Sequence, residues 1–138
     1  MAVRRSSHAV YELEYHFVWA IKYRKKVFNT REMKTKVEEI FREIAAQYDL
    51  TIEEIKAMSD HVHLLVSAPP RFSPARIANI LKSVSMRLIF RQYSKLKKLH
   101  FWGGELWVGG YCVKSSGHDL TTVQIQHYIQ TQDQPVLL

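Results

Sequence analysis

Met58-Ser59-Asp60-His61-Val62-His63-Leu64-Leu65-Val66 reads as a β-strand entered from a tight Ser-Asp turn. Side chains alternate across a strand, so His61 and His63 share one face, while Val62, Leu64 and Val66 share the other and can join a core. Two imidazoles side by side on a rigid element supply half of a divalent-metal site. A lone histidine is usually structural, and His-x-His by itself leaves both readings open. His8, His16, His100, His118 and His127 form no comparable pair. His16 also falls on a strand and reads as a core-edge or surface residue.

Working outward, residues 50–58 form the strand that turns into the histidine strand. Residues 10–21 form a long strand with Tyr15, Phe17, Trp19 and Ile21 on one face and Glu14, His16, Val18 and Ala20 on the other. Between them, Asn29 or Thr30 caps a helix running to about residue 48, with Met33, Val37, Ile40, Phe41, Ile44 and Tyr48 at helical spacing. Downstream, Pro69-Pro70 ends the histidine strand. Ser73 and Pro74 open a second helix whose buried stripe is Ile77, Leu81, Val84 and Leu88. Its outer face is basic, with Arg76, Ser83, Arg87, Arg91 and Lys98. Residues 106–114 form a fourth strand, with Gly109-Gly110 as a bulge.

Ser115-Ser116-Gly117, within residues 114–118, reads as a hinge. A last helix from about Asp119 carries Tyr128. The order is strand, helix, strand, strand, helix, strand, then the added helix. The first six elements match the split βαβ pattern. The expected class is α+β: a ferredoxin-like antiparallel sheet with two helices on one face plus a C-terminal helix. Residues 1–138 form one domain.

The 138-residue chain carries a net charge of +7. From His61 through Gly104 there is no Asp or Glu, against Arg71, Arg76, Lys82, Arg87, Arg91, Lys95, Lys97 and Lys98. A second cluster is Lys22-Tyr23-Arg24-Lys25-Lys26. Surface of one sign suits a polyanion, so nucleic acid is the expected partner. Arg4, Arg5, Lys22, Arg24, Arg87 and Arg91 are DNA-contact candidates on charge. The single cysteine, Cys112, excludes an internal disulfide and any multi-cysteine metal site within one chain. No signal-peptide pattern and no membrane-length apolar run are present, so a cytoplasmic location is expected.

Tyr128 and Gln132 stand four residues apart, so on a helix they share a face. A tyrosine hydroxyl is a nucleophile, and an amide oxygen is an acceptable ligand for Mg²⁺ or Mn²⁺. Spacing alone fits a half-buried aromatic beside a surface amide better than a reactive pair. The wider chain reverses that reading. His8-Ala9-Val10-Tyr11, Tyr15-His16-Phe17-Val18-Trp19, Lys22-Tyr23-Arg24, Asp60-His61-Val62-His63-Leu64-Leu65-Val66, Leu106-Trp107, Gly110-Tyr111 and Tyr128-Ile129-Gln130-Thr131-Gln132 together resemble the single-tyrosine transposases of the IS-two-hundred type. These belong to the HUH endonucleases, named for two histidines flanking an apolar residue. Cys112 and Ser115-Ser116 depart from the pattern without touching a catalytic position.

The resemblance implies that His61, His63 and Gln132 hold Mg²⁺ or Mn²⁺ and that Tyr128 is the nucleophile. It implies a homodimer with the tyrosine helix crossing to the partner's site, and single-stranded DNA with hairpins at element ends as substrate. Two rivals stand beside it. One is a domesticated relative processing dispersed genomic hairpins. The other is a non-catalytic single-strand binder stacking bases on Tyr15, Phe17 or Trp19.

Overall fold

The computed structural model describes residues 13–115 and, before them, the backbone of two short strands, β1 (Arg4–Arg5) and β2 (Val10–Tyr11). These two pair antiparallel, Arg4 with Tyr11 and Arg5 with Val10. They form a sheet of their own, separate from β3 (Glu14–Ala20). The long strand expected over residues 10–21 is therefore two strands.

α1 (Arg31–Gln47) follows, capped by the Thr30 hydroxyl, which accepts from the Met33 N–H at 3.1 Å. β4 (Thr51–Ala57) and β5 (His61–Ser67) form a hairpin around Ser59-Asp60, closed by the Met58 N–H donating to the His61 carbonyl at 2.8 Å. α2 (Pro74–Gln92) has Ser73 as its cap and Pro74 in its first turn. α3 (Ser94–His100) and β6 (Cys112–Ser115) complete the described chain. The four-stranded sheet has the order β4-β5-β3-β6, antiparallel throughout. This is the expected ferredoxin-like arrangement.

Phe17 lies opposite Leu64 and Trp19 opposite Val62 in the β3–β5 register. These side chains are fully buried in one cluster with Met33, Val37, Ile40, Phe41 and Ile44 of α1 and Ile77, Ile80, Leu81 and Ile89 of α2. Both helices therefore cover the same face of the sheet. α1 also satisfies backbone groups of the edge strand β4. Glu38 accepts from the Ala57 N–H at 2.8 Å, and Arg42 donates to the Ile52 carbonyl at 3.2 Å.

Three expected details differ. The buried stripe of α2 runs through Ser85 and Ile89, with Val84 and Leu88 only partly buried at its margins. Ser85 is recruited because its hydroxyl accepts from the buried Trp107 indole N–H at 2.9 Å. The helix also breaks at Tyr93, so Lys98 belongs to α3 and not to the basic face of α2. Nineteen residues already extend about 28 Å. The break brings Tyr93, Leu96 and Phe101 back onto the core that a straight helix would leave.

The fourth strand is shorter than residues 106–114. Trp107 bridges Ile21, and regular pairing resumes only at Cys112 opposite Val18. Between those pairs β3 advances three residues and the facing chain five, so two residues bulge out around Gly109-Gly110. Lys82 fastens the bulge. Its ammonium donates to the Val108 carbonyl at 2.6 Å and the Gly110 carbonyl at 3.0 Å. Of the proposed hinge and last helix, residues 116–138 lie outside the described residues.

Candidate functional site

The sheet face away from the helices carries the histidines. β5 alternates as expected, with Val62, Leu64 and Val66 buried among the core residues and His61 and His63 on the far side. Register places Ala20 across from His61 and Val18 across from His63. These neighbours are small, which leaves room for two imidazoles between the central strands.

Asp60 Oδ1 lies 2.7 Å from His61 Nδ1. A carboxylate can only accept, so Nδ1 carries the proton of this hydrogen bond, which leaves Nε2 as the ring nitrogen available to a cation. That Nε2 lies 3.1 Å from Nε2 of His63. Two nitrogens bound to one cation at about 2.1 Å stand about 3.0 Å apart at a right angle and about 3.4 Å apart at the tetrahedral angle. The observed separation fits adjacent ligands of one ion.

Burial, aided by the neighbouring charges of His61, His16 and Lys56, lowers the pKa of His63 to about 4. A ring kept neutral offers a lone pair without competition from a proton. His16 joins the same face, its ring centroid 6.0 Å from that of His63. Alternation had already put His16 beside Val18 and Ala20, but only the strand register shows that this face is the histidine face. Sequence reading gives Asp60 only its place in the turn and misses its contact with His61. Its signal was a carboxylate directly before the first histidine.

Two ligands do not complete a metal site. Among the described residues, no three His, Cys, Asp or Glu side chains converge to hold a metal ion. Gln132, the expected third ligand, and Tyr128, the expected nucleophile, lie outside the described residues, as do the side chains of Arg4 and Arg5. Cys112 pairs across from Val18, and burial raises its thiol pKa, which disfavours the reactive thiolate.

The cationic candidates divide between two places. Lys22 and Arg24 sit in a 3₁₀ turn, Lys22–Arg24, at the end of β3. This turn is tied to the histidine hairpin, because the Ile21 N–H donates to the Asp60 carbonyl at 2.8 Å and the Phe28 N–H to the Ser59 carbonyl at 3.2 Å. Lys22 is paired with Glu105 at 3.0 Å, which raises its pKa. Arg87 and Arg91 are exposed on α2, in the helical layer across the sheet from the histidines. One face therefore does not hold all the cations expected to meet DNA. Among the described residues, no helix is long and apolar enough to cross a membrane.

Comparison with known proteins points to one family. The family described as "Transposase IS200 like" matches residues 9–132. The ISDra2 transposase TnpA of Deinococcus radiodurans is 39% identical over 132 residues, spanning 96% of this chain and 92% of that protein. The transposase for insertion sequence element IS200 of Salmonella typhimurium is 32% identical over 126 residues, spanning 91% and 80%. A crystal structure of a D. radiodurans protein described as a transposase superposes with a TM-score of 0.80 at 37% identity, covering 94% of this chain and 97% of that one. A REP-associated tyrosine transposase bound to a REP hairpin shares the fold, with a TM-score of 0.50 at 13% identity over 94% and 68% of the two chains. A profile match across nearly the whole length, with two relatives above 30% identity, places this chain in the IS200-like transposase family.

Proposed function

We propose that this transposase cuts and rejoins single-stranded DNA at insertion-sequence ends through a 5′-phosphotyrosine on Tyr128. The carrying observation is the pair of imidazole nitrogens 3.1 Å apart on β5. Family membership supplies the reaction class. The tyrosine transposase solved with a REP hairpin supports hairpin DNA as the substrate.

His61, His63 and Gln132 would hold Mg²⁺ or Mn²⁺. Such an ion, when bound, supplies Lewis-acid polarisation of the scissile phosphate. Asp60 fixes the tautomer of His61, and burial keeps His63 unprotonated, so both rings are ready as ligands. The Tyr128 hydroxyl gives its proton to solvent as its oxygen bonds to phosphorus, the bond to the 3′ oxygen breaks, and that oxygen takes up a proton from solvent. The products are a phosphotyrosine and a free 3′-OH. The covalent link conserves the phosphodiester bond energy, so a second 3′-OH can attack it and rejoin strands without ATP. In this reading two copies of the chain form a homodimer, the tyrosine helix crosses to the partner's site, and the enzyme works in the cytoplasm.

The test is a denaturing gel of the protein mixed with labelled hairpin DNA from its own genomic flanks, with Mn²⁺ or EDTA. A metal-dependent covalent band, lost in Tyr128→Phe and in His61→Ala, is the expected result. Binding without any covalent band on a verified end sequence would sink the catalytic reading and leave a single-strand binder.

A further inference from the structure

Beside the histidine hairpin lies an aromatic feature that cutting and rejoining do not explain. Tyr23 has a φ of 61° and Arg24 a φ of 48°. Two successive non-glycine residues in the left-handed region are costly, and such strain persists only where the surroundings enforce it. Here the turn is held by the Lys22 N–H donating to the Leu106 carbonyl at 2.7 Å and the Arg24 N–H donating to the Ile21 carbonyl at 2.8 Å. The conformation keeps the Tyr23 ring out of the core at 65% exposure.

Trp102 is 85% exposed, the most exposed large apolar side chain described. Both residues line one surface cavity of about 180 Å³, together with Lys22, His100, Phe101 and Glu105. Sites that enclose a drug-sized ligand run to roughly 300–1,000 Å³. This one suits a single ring system. Its one carboxylate, Glu105, is neutralised by Lys22. Lys25 adds a cation nearby, its ammonium 5.9 Å from the Phe101 ring centroid.

We infer that Tyr23 and Trp102 form a stacking clamp for one unpaired base of the DNA strand entering the histidine site. The inference rests on the single-stranded DNA substrate proposed above. Exposed aromatic rings within a basic groove are how proteins hold single strands without reading sequence. The Ile21–Asp60 backbone hydrogen bond joins the residue before this turn to the residue that orients His61. A base seated there would hold the adjoining backbone beside the histidine pair, so Tyr23 and Trp102 act as positioning residues.

The experiment is binding of a fluorescent single-stranded oligonucleotide from the element end to the full chain in EDTA, where no cleavage is required. A parallel series replaces one nucleotide at a time with an abasic site. The wild type is expected to lose affinity about 5- to 150-fold when the clamped base is removed. Trp102→Ala and Tyr23→Ala should bind the intact strand more weakly and become indifferent to that abasic position. Trp102→Phe and Tyr23→Phe keep a ring and should retain the dependence. Of the three tryptophans, Trp19 and Trp107 are buried, so DNA should protect the iodide-quenched signal of Trp102.

If the alanine variants bind like the wild type, or keep the full abasic penalty, the clamp is wrong while the transposase reading stands. If they only shift the monomer–dimer balance in sedimentation, the patch is a protein interface and the clamp is again wrong. If the wild type binds no single strand at all, both readings fall.

Discussion

His61 and His63 face each other through Nε2 atoms 3.1 Å apart, while Asp60 grips the other nitrogen of His61 at 2.7 Å. The carboxylate fixes which nitrogen of His61 is free to bind a cation. Removing such an orienting partner typically costs 10–100-fold in metal affinity (about that order). Asp60→Ala should therefore weaken Mn²⁺ binding by about 10- to 100-fold in titration calorimetry. Asp60→Asn keeps an acceptor oxygen and should lose less. Equal affinity for all three proteins would mean that the orientation of His61 does not matter to the site.

Arg87 and Arg91 are exposed on α2, across the sheet from the histidines. If this helical layer touches the DNA backbone, each arginine neutralises a phosphate. Each alanine substitution should then flatten the plot of log affinity against log salt by about 0.7 for a single strand, with similar weakening for every sequence. An unchanged slope in both variants would confine DNA to the face with Lys22 and Arg24.

Much of the sheet was legible because short-range rules and tertiary packing agree. Phe17 and Trp19 alternate with His16 and Val18, just as Val62 and Leu64 alternate with His61 and His63, and the register sets the apolar sets opposite each other. Thr30 and Ser73 cap the helices where their side chains predicted. What escaped depends on contacts distant in sequence. Lys82 looked like one more surface cation, but it is bonded to carbonyls 26 and 28 residues away. Ser85 lies outside the apolar stripe read from the sequence, and its burial depends on a donor from Trp107, 22 residues on. His16 could not be assigned to the histidine face without knowing which strand lies beside β3.

Ser85→Ala removes the acceptor of a buried indole. The Trp107 N–H would then be stranded in the core, at a cost of about 1–3 kcal/mol. Urea unfolding should show this loss, and Trp107→Phe, which removes the donor as well, should couple with it in a double-mutant cycle. Additive losses would mean that the hydrogen bond contributes nothing to stability.

Asp49, two residues past the end of α1, has a φ of 59°, and the next N–H, from Leu50, donates back to the Ala45 carbonyl at 2.9 Å. This closing turn favours glycine at the left-handed position. The Arg71 pair with Asp49, at 3.0 Å, is solvent-exposed on both sides and contributes little. Asp49→Gly relieves a strain of about 1–2 kcal/mol against an entropic penalty of about 0.5–1 kcal/mol. The variant should be more stable by about 0.5–1 kcal/mol in denaturant unfolding. A loss of stability would show that the aspartate side chain holds the turn in some other way.

Lys82 gives the fold a pH dependence of its own. Burial lowers its pKa from 10.5 to about 8, with the Glu105 charge acting the other way. The uncharged amine still has two N–H donors for the Val108 and Gly110 carbonyls, so the bulge stays fastened when the proton leaves. Between about pH 8 and the unfolded pKa near 10.5, the unfolded chain holds a proton that the folded chain has released. Stability therefore rises with pH across that window, and the gain is absent below the folded pKa. Lys82→Met cannot titrate and leaves both carbonyls without this donor. Other groups titrate alike in the two proteins, so the informative quantity is the stability difference between wild type and variant. That difference should widen from about pH 7 to about pH 10 in urea unfolding. A difference that stays constant with pH would mean that Lys82 keeps its proton in the fold and serves the bulge as a permanent cation.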